Sequence, residues 1–74
     1  MKRENELRIA IKNSLLNVSR ANSPNIYNLI YNKKGNVVPR GYQIVETKII
    51  KKIIDNNMGI SAAIPQLEME LDLR

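Results

Sequence analysis

Ile44 to Ile54, IVETKIIKKII, carries the densest apolar material in the chain and, on its other side, three lysines. At about 100° per residue the helical projection gathers Val45, Ile49, Ile50, Ile53 and Ile54 on one broad face and Lys48, Lys51 and Lys52 on the other. A strand fits worse, because the apolar residues come in adjacent pairs that would point to both sides of a sheet. The β-branched content favours a strand, and the spacing outweighs it. Glu46 falls inside the apolar arc, near the expected helix start, where unpaired backbone N–H groups favour a carboxylate. The lysine face has two readings. Charge runs are most often solvated helix faces; the sharper reading is a helix that packs with its isoleucines and meets a polyanion with its lysines.

Upstream, residues 4–20 read as a first helix with Leu7, Ala10, Ile11, Leu15 and Val18 on one apolar stripe. Glu4 and Arg8 form an i,i+4 pair worth about 0.2–0.5 kcal/mol. Ile9 and Leu16 lie one heptad apart on the far side, among Arg8, Lys12 and Arg20, and make a candidate protein-binding or homodimer surface. Ser23-Pro24 then signals a second helix, serine at the N-cap and proline at the first helical position. It is expected to run to about Lys33 and to end at Gly35. Ile26, Leu29 and Ile30 face inward with Tyr27 and Tyr31 beside them. Asn25, Asn28 and Asn32 line the remaining face, for plain solvation or for reading adenine in a major groove. The segment from Lys33 to Gly41 is a basic loop broken by two glycines and a proline.

The central helix is expected from about Tyr42 to Asn57. Beyond it, Leu67, Met69, Leu71 and Leu73 alternate with Glu68, Glu70, Asp72 and Arg74, which is strand periodicity. The same residues fit a helix capped by Ser61, with Pro65 in its first turn, where proline is tolerated. The helix is preferred, because little else in the chain could pair with a lone strand. The acids of this segment read as a solvated face.

At 74 residues the chain is a single small domain. A domain of this size buries only about 60% of the surface its unfolded form exposes, and dimerisation is one remedy for the thin core. With no cysteine and no histidine, there is no disulfide framework, no thiolate zinc site and no base to activate the serines. The glycines form neither a P-loop nor a dinucleotide fingerprint. An enzyme is not expected, and no cofactor or metal is implied. The formal charge is +5. It is uneven, with eleven basic and four acidic residues before Met58 and one against three from Met58 onward. Such a body attracts nucleic acid, acidic protein or anionic lipid; the absence of Trp and Phe counts against lipid. No signal peptide is visible and no run approaches the roughly 20 apolar residues of a spanning helix, so the expectation is no membrane insertion and a cytoplasmic location.

These readings combine into a mainly α, three- or four-helix domain, with a short extended segment around 37–44 or a C-terminal strand at 67–73 as the competing details. The expected function is a small DNA- or RNA-binding regulator of transcription, contacting phosphates through Lys33, Lys34, Arg40, Lys48, Lys51 and Lys52. The alternative is an adaptor or inhibitor that binds a protein through Ile9 and Leu16 without nucleic acid. Lys51 to Leu71 makes a poor helix-turn-helix, since its second helix carries Pro65 and three acids into a groove of phosphates. The earlier pair is chemically better, but its connection exceeds the 3–4 residues typical of the motif.

Overall fold

The computed structural model describes residues 2–73, with side chains from residue 5 onward. The expected pairing of Glu4 with Arg8 therefore lies outside the described side chains. Four helices follow one another: α1 Lys2–Leu15, α2 Pro24–Ile30, α3 Pro39–Asn56 and α4 Ile60–Asp72. The alternating C-terminal segment is thus helix and not a strand. Among the described residues the only strand-like pairing is one antiparallel bridge between Tyr31 and Val37, which leaves a strand at 67–73 nothing to join. Val37 pairs back onto the end of α2 and not onto Tyr42 to Ile44, because those residues already lie inside α3. Pro39 starts that helix at its first position, three residues earlier than the sequence suggests.

Helices α2, α3 and α4 pack on one another, and α1 lies against α3. Each helix contributes two residues to the core: Ile11 and Leu15, Ile26 and Ile30, Val45 and Ile49, Ala63 and Leu67. Burying an aliphatic side chain of this size stabilises by about 1.5–3 kcal/mol. Leu7, Leu29, Ile50, Ile53, Ile60 and Ile64 close the core at its edges.

Three boundaries differ from the periodicity for local reasons. α1 stops at Leu15 instead of residue 20. The backbone tightens there into i→i+3 bonds, Asn17 N–H to Ser14 O and Val18 N–H to Leu15 O. Side chains then compete for the next groups: Asn17 Nδ2 donates to Asn13 O at 2.7 Å, and the Asn22 N–H donates to Ser19 Oγ at 3.1 Å. α2 stops at Ile30 because Tyr31 turns extended and Asn32 Oδ1 accepts the N–H groups of Lys34 and Asn36. Gly35, at φ +83°, serves that turn and not the helix end. α4 begins at Ile60 with Gly59 at the cap, so Ser61 is already helical and Pro65 lies in the second turn, not the first.

The central helix buries a narrower face than its run of isoleucines suggests. Ile54 is 67% exposed and Ile44 45% exposed. Ile54 follows Val45 by nine residues, about half a circle round the helix. Gly41 is the crossing point. It is buried, and a methyl group built there would run into the Leu29 carbonyl. The backbones of α2 and α3 touch at this position, which only glycine permits.

Candidate functional site

Helix α2 is held from across the molecule. Ser23 occupies its N-cap without a side-chain cap bond. Glu68 of α4 takes over that role. Its carboxylate accepts the Asn25 N–H at 3.0 Å and the Ile26 N–H at 2.9 Å, and accepts the Asn25 side-chain amide at 2.8 Å. Two unpaired donors of the first turn are satisfied by one charged group, the stronger class of hydrogen bond. Glu68 is therefore a structural cap and not part of a solvated acidic face. Asn25 is used by Glu68 and Asp72, and Asn32 organises the loop. Of the three asparagines expected to share a free face, Asn28 alone remains exposed without a hydrogen-bond partner.

Two recesses flank α3, and five of the six basic residues singled out from the sequence divide between them. The first is a cleft between α3 and α4 of about 310 Å³, lined by Lys48, Lys51 and Lys52 together with Asp55 and Glu70. Here Lys52 already has an acidic partner. Its Nζ donates to Glu70 Oε1 at 2.5 Å and its side chain is only 12% exposed. The physical reason is register: Lys52 follows Val45 by seven residues, about two turns, and so returns to the core side of the helix. Lys51 is exposed and Lys48 half-buried.

The second recess is a groove between α2, the connection 31–38 and the first turns of α3, of about 720 Å³. Arg20, Lys33 and Arg40 stand around it, and among the described residues no carboxylate lines it. Its floor is apolar and aromatic. The Tyr27 and Tyr31 rings lie 4.7 Å apart at 33°, and the Arg20 guanidinium sits 5.2 Å from the Tyr27 ring centre. The Tyr31 hydroxyl donates to Leu16 O at 3.3 Å. Ile44 and Leu29 complete the wall. Lys34 is exposed on the same connection, outside the lining.

On the projection of α3, Arg40, Ile44, Lys48 and Lys51 fall within about 80° of one another. The groove thus continues along a basic stripe of the helix. Arg20, Tyr27, Ile44 and Gly41 escaped the sequence reading as a set. The i,i+4 tyrosines and the PRG that opens α3 were visible, but nothing local brings Arg20, in the turn after α1, onto Tyr27.

The remaining candidates lie elsewhere. Ile9, on α1, is 61% exposed, and Leu16, in the turn just past the end of α1, is 39% exposed. On the inner side, Arg8 Nη1 donates to Glu46 Oε1 at 2.9 Å. Glu46 is thus an ion-pair partner in the third turn of α3 and not a helix-start carboxylate. Beside it the buried Tyr42 hydroxyl lacks a hydrogen bond. Burial, and after it the Glu46 charge, pushes its pKa up to about 12. Among the described residues no cluster of acids could hold a metal ion, and no helix is long and apolar enough to cross a membrane. No protein-family model, curated protein or solved structure matches this chain.

The α3–α4 connection, Asn57 to Gly59 with Asn57 left-handed at φ 54°, has the length of a helix-turn-helix turn. Its second helix still presents acids. Glu68 is turned onto α2 and Glu70 onto Lys52.

Proposed function

We propose that this chain is a small nucleic-acid-binding regulatory protein of the cytoplasm. Its polyanion surface is the α2–α3 groove and the stripe running from it along α3, with Arg20, Lys33, Arg40, Lys48 and Lys51 as phosphate contacts and Lys34 at the margin. The observation that carries this reading is the distribution of counter-charge. The groove gathers three cations without a carboxylate, so an anionic ligand meets no competing acid there. Lys52 is left out, because Glu70 already holds it. Phosphate contacts release condensed counterions, so affinity falls with salt by about 0.9 log units per log unit and contact on duplex DNA and about 0.7 on single strands. Fluorescence anisotropy with labelled DNA and RNA across a salt series should show this linear fall. Absence of salt-dependent binding at low ionic strength would reject the reading.

A second reading, in which a protein is the partner, is supported by the outward face of α1. Ile9 is exposed there, and Leu16 is exposed in the turn that follows the helix. A second copy of the chain is the occupant we propose for it. Analytical ultracentrifugation at about 100 μM, well above a 1 μM dissociation constant, should then give a dimer that Ile9→Glu dissolves. A clean monomer of the unmodified chain would end this second reading.

A further inference from the structure

We infer that the α2–α3 groove receives an unstacked base of a single-stranded nucleic acid, with Lys33 and Arg40 on the flanking phosphates. This rests on the nucleic-acid reading above and adds the form of the ligand. Cations alone would suit any polyanion. The floor is more selective: two tyrosine rings with Leu29 and Ile44 line a recess of about 720 Å³, within the range of about 300–1,000 Å³ typical of small-ligand sites.

A duplex offers phosphates and groove edges, and its base faces are hidden in the stack. It would cover this recess without filling it. A single strand can splay a base out and lay it on an aromatic ring or on a guanidinium plane. The Arg20 guanidinium lies over Tyr27 and the Tyr31 ring packs beside it, so an inserted base would join this existing stack. Asn28 lines the same recess with its amide free, and an amide can both donate and accept at a base edge. An acidic peptide would meet the cations, and its backbone can pair with this amide, but its carboxylate side chains offer no flat face to the rings. Ile44, 45% exposed at the groove wall, would be covered by the inserted base.

The protein has three tyrosines and no tryptophan, so its own emission reports stacking. The test titrates the full chain with four probes of about 20 nucleotides, a length spanning the sites of known single-strand binders. They are oligothymidine, oligouridine, an abasic backbone and a duplex. The expected result is quenching of tyrosine emission by oligothymidine, oligouridine or both, with binding about tenfold tighter than to the abasic backbone; the better of the two identifies DNA or RNA. Tyr27→Leu should abolish that preference while leaving the salt slope unchanged, and Ile44→Ala should reduce it. Circular dichroism checks the fold, and if Tyr27→Leu does not fold, the exposed Ile44 variant decides. Equal affinity for oligothymidine, oligouridine and the abasic backbone, or tighter binding of duplex, would overturn the base pocket and leave the nucleic-acid reading standing. No salt-dependent binding of any probe would overturn both.

Discussion

The two recesses beside α3 contain similar numbers of cations and differ in what faces them. In the α3–α4 cleft, Lys48, Lys51 and Lys52 meet Asp55 and Glu70, and one lysine is already paired. In the α2–α3 groove, Arg20, Lys33 and Arg40 meet tyrosines and aliphatic side chains. The lysine cluster is the more conspicuous of the two in the sequence, yet the scattered cations have the freer charge. A basic residue's availability is set by its partners across the fold, and the partner that removes Lys52 comes from 18 residues away.

The largest effect should come from breaking the groove itself. Gly41→Ala forces a methyl group into the Leu29 carbonyl, and overpacking of this kind destabilises by about 1–3 kcal/mol or more. The variant should melt well below the parent in a thermal scan. An unchanged melt would mean that α2 and α3 are not in backbone contact, and the groove would have a different shape. Next is Glu68→Ala, which strips the first turn of α2 of both cap bonds. Loss of a cap costs about 0.5–2 kcal/mol, measurable by urea denaturation, and Glu68→Gln should recover part of it. Because Glu68 ties α2 to α4, its loss should weaken ligand binding at the groove more than at the cleft.

A smaller change sharpens the comparison from the cleft side. Glu70→Ala removes the acid that holds Lys52. Glu70 is half exposed, and an ion pair with a solvated acid is worth about 0–1 kcal/mol, so stability should shift little. The freed lysine should add about 0.9 to the salt slope on duplex DNA. No change in slope would mean that Lys52 stays out of reach of phosphate even when unpaired. The smallest effect concerns the α1–α3 contact, away from both recesses. The folded chain keeps the Tyr42 proton up to about pH 12, while an unfolded chain releases it near the ordinary tyrosine value of 10.0. The unfolded state binds fewer protons in that window, so this contribution to stability is full below pH 10 and is lost as pH rises toward 12. Tyr42→Phe should flatten the alkaline decline seen by denaturation and leave stability at pH 7 nearly unchanged, since the hydroxyl has no hydrogen bond to lose.

Much of the fold is legible in the chain. The isoleucine spacing announces α3, Ser23-Pro24 opens α2, and the lack of a partner strand decides for helix at the C-terminus. Ends of helices are less legible, because Asn17, Ser19 and Asn32 terminate them with side-chain bonds that periodicity does not contain. The site is legible as a list and not as a place. Lys33 and Arg40 belong to the groove, Lys48 and Lys51 to the stripe beyond it, and Lys52 to an ion pair. The heptad relation of Lys52 to Val45 was readable in advance; the arrival of Arg20 over Tyr27 depends on the path of residues 16–23, which no spacing encodes.

The most direct test removes the same charge from each recess. Lys33→Ala with Arg40→Ala and Lys51→Ala with Lys52→Ala each delete two cations, so net charge falls equally. If counter-charge decides which cations are available, the first variant should lower the salt slope of duplex DNA binding by about 1.8, two contacts' worth, and the second by no more than about half of that. Equal slopes for the two variants, or a larger loss from the cleft pair, would contradict the account.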